Sequence, residues 1–252
     1  MEQQRAAVIG LGRFGLFWAG MLAREYRVVG TSRRTIETLP SGVAQVPLEE
    51  ALSAPLVFLT VAISAMPGVL RRISPYLKPG TTVVDTCSVK VFPVQQMQLL
   101  LPEHTGIIAC HPMFGPDSAR ERTDRLPVIL WPVRDRYQRY DELTRIFSGL
   151  GMRVAEMTPE DHDWEAAFTQ GVTHLVGRLL SRMELKPSEI GTLGYTRLLQ
   201  VMDQTCNDPE ELFRDLQRYN ASTREMRRSF SRALAEVEEM LGGEEPEIRG
   251  PS

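Results

Sequence analysis

The sequence predicts an α/β protein, a doubly wound and mainly parallel sheet followed by a small all-α C-terminal domain. Three observations predict it. Short apolar runs, most of them rich in Val and Ile, recur through the first 156 residues, and helical patterns separate the early ones. A glycine-rich turn, Gly10-Leu11-Gly12-Arg13-Phe14-Gly15, closes the first run. Past Thr158 the strand-like pattern stops and only helical patterns remain.

The strand-like runs fall at 6–10, 27–31, 56–61, 82–85, 106–110, 128–131 and 153–156. An amphipathic helix is expected over 136–150. Thr158-Pro159-Glu160-Asp161 then gives a helix start, with a capping hydroxyl, Pro at the first helical position and acids in the first turn. The helix it opens is apolar over most of its circumference, through Trp164, Ala167, Phe168, Val172, Leu175, Val176, Leu179 and Leu180, and is expected to be buried. Beyond it, Pro187 and the pair Asp208-Pro209 punctuate three further helices. The expected units are 1–157, a nucleotide-binding domain, and 158–241, a helical substrate and dimerisation domain. The tail 242–252, rich in Gly, Pro and Glu, is expected to be disordered. The helical unit buries too little surface alone, so a homodimer through it is expected.

Composition excludes several classes. A net charge of -3 gives no general attraction to nucleic acid or anionic membranes. No apolar run is long enough to span a bilayer, and no signal peptide is expected ahead of the first strand. The three cysteines, Cys87, Cys110 and Cys206, are few, odd in number and widely spaced. That suits a reducing cytoplasm, and none lies in a metal-binding pattern.

The glycine turn stands between a strand and a helix, as a Rossmann dinucleotide site requires. Gly10 permits the tight turn, Gly12 lets the backbone approach a pyrophosphate, and Gly15 allows close helix–strand packing. Arg13 and Phe14 inside the turn, and Val61 at the end of the 56–61 run, complete the expected cofactor contacts. The second strand ends in Thr31-Ser32-Arg33-Arg34, with no Asp or Glu to accept from a ribose 2′-hydroxyl. Ser32, Arg33 and Arg34 suit a 2′-phosphate instead, favouring NADP over NAD. A solvated basic loop is the ordinary alternative.

A Rossmann site gathers chemistry at the carboxyl ends of its strands. Ser88 follows the 82–85 run and His111 follows the 106–110 run. His111 is the candidate general base, because imidazole titrates near neutrality. A capping or packing histidine is the alternative. On the long helix Gln170, His174 and Arg178 recur every four residues as one polar stripe, with Thr173 and Gly177 beside it. A polar stripe on a buried helix needs partners or a polar cleft.

At these residues the chain resembles the prephenate and arogenate dehydrogenases, the TyrA family of tyrosine biosynthesis. The matching pieces are GLGRFG, DTCSVK, HPMFGP, QGVTHLVGR and ELFRDLQRYN, in the family's order over about residues 6–220. TSRR and HPMFGP look more like the NADP-using cyanobacterial and plant branch. The resemblance implies that His111 accepts the proton of the substrate's ring hydroxyl and that Ser88 binds that hydroxyl and orients His111. It implies that His174 lines the substrate pocket and that Arg214 binds a carboxylate, although the plant-like branch does not keep that arginine. Gly171 replaces a bulkier residue. Prephenate or arogenate would be the substrate. Two readings stand beside this one: another two-domain NADP enzyme of the β-hydroxyacid dehydrogenase or pyrroline-carboxylate reductase type, or a non-enzymatic NADP-sensing module.

Overall fold

The computed structural model describes residues 3–119 and 125–242. Apart from Gly242, the tail expected to be disordered lies outside the described residues. The N-terminal elements are β1 (Arg5–Ile9), α1 (Arg13–Leu22), β2 (Arg27–Thr31), β3 (Val43–Gln45), α2 (Leu48–Ala51), β4 (Leu56–Leu59) and α3 (Met66–Ile73). They continue as β5 (Thr82–Asp85), α4 (Val91–Leu100), β6 (Gly106–Pro112), β7 (Pro127–Arg134), α5 (Arg139–Gly149) and β8 (Arg153–Glu156). All eight strands form one sheet in the order β3-β2-β1-β4-β5-β6-β7-β8. The order reverses at β1, which pairs with β2 on one side and β4 on the other. A crevice opens at that reversal, outside the carboxyl ends of the strands.

The two-residue alternation of a strand explains why the apolar runs are continuous. Ala6 and Val8 enter one core, with Trp18, Phe58 and Phe147. Ala7 and Ile9 enter the other, with Leu59, Met66, Leu70 and Met97. Helices cover both faces, so the central strands carry apolar side chains towards both sides. Trp18 is the hub of the first core: its ring meets Phe147 at 5.4 Å, Phe14 at 5.9 Å and Phe58 at 6.0 Å. Packing of this kind anchors α1, and with it the glycine turn, on the sheet.

The structure differs from expectation at two strands. β3 has three residues, none of them buried, and it sits at the sheet edge, too short and too wet to carry a hydrophobic pattern. β7 runs antiparallel to β6, and this partner extends β6 to Pro112. His111 therefore lies inside the strand, opposite Ile129, rather than just beyond it.

Among the described residues no strand follows β8. The helices are α6 (Pro159–Ala166), a π-helical turn (Ala167–Gly171), α7 (Val172–Arg182), α8 (Leu193–Cys206), α9 (Glu210–Tyr219) and α10 (Thr223–Leu241). Thr158 caps α6 by accepting from the Asp161 N–H at 3.1 Å. α7 and α8 pack closely at Gly177, where a Cβ would fall 1.9 Å from Thr205 Oγ1.

The expected burial of the apolar flank of this long helix is corrected. Trp164, Phe168 and Leu179 are exposed, while Ala166, Ala167, Gly171, His174 and Gly177 are buried. Close approach selects the small residues for the inner face, and the bulky ones are left outside. None of the described helices is long and apolar enough to cross a membrane.

Candidate active site

A cleft of about 580 Å³ lies at the sheet reversal, between the strand ends and the helical region. Its first wall is the glycine turn. Gly10 has φ +110°, and its N–H donates to Thr31 O at 3.0 Å, joining the turn to the end of β2. A Cβ on Gly15 would sit 1.9 Å from Gly10 O, so only glycine lets α1 approach. A Cβ on Gly12 would meet nothing within 4 Å. That is open room above a helix N-terminus which no side chain caps and whose first turn holds no acid. These residues fit a dinucleotide pyrophosphate. Phe14 and Val61 line the same wall. Ser32 is half-buried, Arg33 and Arg34 are exposed beside it, and none of the three lines the cleft. Ser32 Oγ accepts from the Arg34 N–H at 3.3 Å.

The second wall carries His111 and Ser88. Beneath them lies a buried ion pair, Lys90 Nζ with Asp85, both at most 1% exposed. Parallel pairing of β5 with β6 stops at Ile108. From there the ion pair takes over: the Cys110 N–H donates to Asp85 Oδ1 at 3.2 Å, and Lys90 Nζ donates to Cys110 O at 2.6 Å. Two side chains thus satisfy both backbone groups of the residue before His111. Burial raises the Asp85 carboxyl above its ordinary range, and Lys90 pulls it back.

His111 is 2% exposed. Its Nδ1 lies 2.7 Å from Nε2 of His162, which is equally buried. His162 Nδ1 lies 2.9 Å from Asp163 Oδ1. Asp163 accepts from the N–H groups of Lys90 at 2.6 Å and Val91 at 3.0 Å, the N-terminus of α4. Asn220 Nδ2 donates to Asp163 O at 2.6 Å. Burial, then the neighbouring His162 and Lys90, hold the His111 pKa well below the ordinary imidazole value, so the ring is neutral at pH 7. Burial also lowers His162, against the opposing pull of Asp163.

The third wall comes from the helices. Gln170, in the π-helical turn, lines the cleft with Thr173 and His174. Gln170 Oε1 and His174 Nδ1 are buried without a hydrogen-bond partner among the described residues. His174 Nε2 is 3.9 Å from Asp208. Burial lowers the His174 pKa, and burial raises that of Asp208. Arg13 reaches across from the glycine turn to Asp117 at 2.5 Å and towards Asp208 at 3.9 Å. At the floor, the Ser64 N–H donates to Asp215 Oδ2 at 2.8 Å, pinning the segment after β4 to α9.

The fold therefore brings together Gly10, Gly12, Arg13, Phe14, Gly15, Val61, Ser88, His111, Gln170 and His174. Two of the residues expected to contact substrate lie away from the cleft of this chain. Arg178 does not line the cleft: its guanidinium donates to Asp208 O at 2.8 Å and lies over Phe213, because a turn of helix carries it past the cleft rim. Arg214 lies on the outer face of α9, where its side chain is 71% exposed and paired with Glu210. Its neighbour Asp215 is the residue that turns inward. Ser88 lines the cleft, and the side chain hydrogen-bonded to the His111 ring is His162. The helix start at 158–161 does not by itself point to His162 and Asp163. A histidine between two acids in a first helical turn was the available signal.

Residues 33–156 match the family described as "Prephenate dehydrogenase, nucleotide-binding domain". Residues 179–250 match that described as "TYRAAT1-like, C-terminal domain". The chain is 33% identical to arogenate dehydrogenase 2 of Arabidopsis thaliana, with 95% of this chain and 70% of that protein covered. It is 32% identical to arogenate dehydrogenase 1 of the same plant, over 95% of this chain and 39% of that longer protein. Among solved structures, prephenate dehydrogenase from A. aeolicus, in complex with hydroxyphenyl propionate and NAD+, superposes with a TM-score of 0.74 at 19% identity. It covers 96% of this chain and 91% of its own. Arogenate dehydrogenase from Synechocystis gives 0.67 at 21% identity, covering 95% and 94%. Those two structural likenesses show the fold.

Proposed function

The chain belongs to the prephenate and arogenate dehydrogenase family, and on that premise we propose that it oxidises and decarboxylates prephenate or arogenate with NADP. The product is 4-hydroxyphenylpyruvate or tyrosine. The observation that carries the reading is His111: a buried imidazole, neutral at pH 7, on the cleft wall beside a glycine turn shaped for a dinucleotide.

When bound, the nicotinamide supplies the hydride acceptor. Both substrates carry a hydroxyl and a hydrogen on one ring carbon, and a carboxylate on the opposite carbon. The hydroxyl becomes acidic only as hydride departs, and a base already neutral is most useful then. His111 Nδ1 is engaged inside the protein, so Nε2 takes the proton. Ser88 holds the hydroxyl. Carbon dioxide leaves as the ring becomes aromatic, and that gain drives the reaction, so the chain mainly positions and polarises. Gln170 and His174 face the substrate with polar atoms that have no partner among the described residues.

NADP rather than NAD follows from the end of β2, where Ser32, Arg33 and Arg34 stand and no acid does. A homodimer through the helices follows from the apolar residues they leave exposed, among them Trp164, Leu179, Met183, Ile190 and Leu193. The cysteines are free, which suits the cytoplasm.

The test is absorbance at 340 nm with each substrate and each cofactor. NADP-dependent turnover of at least one substrate is expected, and none with either overturns the reading. Arg33→Ala should raise the Michaelis constant for NADP with little effect on that for NAD, the loss of one charge-assisted contact, about 1.5–3 kcal/mol. A wild-type preference for NAD overturns the cofactor assignment.

A further inference from the structure

The buried chain behind His111 has a direction, and the direction is set by its far end. Asp163 already accepts two backbone N–H groups from the start of α4. A carboxylate so placed can only accept from the imidazole beside it, so His162 Nδ1 carries the hydrogen. His162 Nε2 is then a lone pair. At 2.7 Å from it, His111 Nδ1 must be the donor, and His111 Nε2 is left as a lone pair for the cleft. Each step is forced by the one before it, and each of the three residues is at most 3% exposed, so water cannot substitute.

Asp163 cannot turn away from this task. Both its oxygens are held by α4, and its own carbonyl is held by Asn220 Nδ2 at 2.6 Å. α4 is in turn fixed through Lys90, whose backbone N–H binds Asp163 and whose ammonium binds Asp85 and Cys110 O. The backbone that carries His111 and the group that orients its ring therefore share one anchor. This is the arrangement that a base needs in order to present one nitrogen, in one tautomer, at one place.

We propose that His162 is a positioning residue for the reaction: through Asp163 it holds His111 in the tautomer whose Nε2 accepts the substrate's proton. The proposal rests on His111 acting as the base. Its test therefore includes a readout independent of turnover.

The experiment compares His162→Gln and His162→Leu in the full chain with NADP bound. Long-range nitrogen–proton NMR correlations report the tautomer of His111, and kinetics give kcat, the Michaelis constants and the pH profile. Glutamine can set its Oε1 where the imidazole Nε2 lies, so His162→Gln should keep the wild-type tautomer of His111 and stay within about threefold of wild-type kcat. Leucine offers no acceptor. His162→Leu should mix the two tautomers and lower kcat about thirtyfold or more, a large part of what general-base catalysis supplies. The Michaelis constant for NADP should not change.

A single Nε2 lone-pair tautomer in His162→Leu, with wild-type kcat, overturns the proposal. So does an equal loss in both variants, the mark of a role in packing alone. If His162→Leu does not fold, His162→Gln decides: the proposal stands if its tautomer and rate are kept and falls if they are lost. Mixed tautomers in His162→Leu at full kcat would support the positioning geometry and remove His111 as the base, which separates failure of the proposal from failure of the functional reading.

Discussion

The strand-side wall and the helix-side wall of the cleft are both buried and polar, yet they are finished to different degrees. Behind His111 the buried polar atoms are paired. The Asp85–Lys90 ion pair, Cys110, His162 and Asp163 form a closed set of hydrogen bonds. Across the cleft, Gln170 Oε1 and His174 Nδ1 have no partner among the described residues, and the Asp208 carboxylate stands 3.9 Å off His174 Nε2. An unpaired buried polar atom costs about 1–3 kcal/mol. On the proposed function, the difference teaches where each task lies. The strand side is built before any ligand arrives, as proton transfer demands. The helix side is left for a ligand to complete, as recognition allows.

The hardest blow to this contrast comes from Lys90→Met. It strands the Asp85 carboxylate in the core and should cost about 3–5 kcal/mol, read from the midpoint of urea unfolding. Adding Asp85→Leu should recover part of the loss. A mild effect of Lys90→Met alone would mean that the strand side is not a closed set.

Next comes His111→Asn. It should fold, bind NADP and lose at least about a hundredfold in kcat, with the acid limb of the pH profile gone. The sign of the stability effect follows from the lowered pKa. The unfolded chain takes up a proton near pH 6.5 and the folded ring resists it. This contribution is therefore complete above pH 6.5 and is lost as pH falls from there towards the depressed folded value. Wild type should lose stability faster than His111→Asn in that window, by up to about 1.4 kcal/mol per pH unit. Equal slopes in urea titrations at pH 7 and 5.5 would contradict the buried neutral ring.

On the opposite wall, His174→Ala should raise the Michaelis constant for prephenate or arogenate five- to tenfold, about 1–1.4 kcal/mol for one hydrogen bond, and change kcat little. A fall in kcat without a change in the Michaelis constant would erase the distinction between the walls. The smallest effect is expected from Arg214→Ala. Its exposed pair with Glu210 is worth less than about 0.5 kcal/mol, and the substrate's Michaelis constant should stay at the wild-type value. A rise would bring Arg214 into a site that a second copy completes.

What sequence could show here depends on how far apart the cooperating residues lie. The glycine turn is legible because its chemistry is local: three glycines, a strand before and a helix after. Strand alternation and the helix start at Thr158 are legible for the same reason. His111 is legible through its place near a strand end. The pairing of His111 with His162 joins residues 51 apart on unrelated elements, and no spacing rule connects them. The inward turn of Asp215 in place of Arg214 is likewise decided by how α9 is rotated, which the pattern ELFRD leaves open. The three-residue β3 carries too few side chains to show an alternation.

The π-helical turn at Ala167–Gly171 gives this segment a tolerance in residue number that side-chain identity does not reveal. A π-helical turn holds more residues than an α-helical one. Removing one residue there would let the backbone close into an unbroken α-helix, with its hydrogen bonds intact and its composition almost unchanged. The five residues of the π-helical turn sweep about the same angle as four α-helical ones, so the segments on either side would keep their relative rotation. His162 and Asp163 would stay under His111 and His174 would stay at the cleft, whereas the same deletion at Val172 or Thr173 in α7 would turn one side against the other by about 100°. A relative with one residue fewer between His162 and His174 can therefore keep both histidines in place, so a comparison of such chains should allow a one-residue gap at this turn and not elsewhere in the helix.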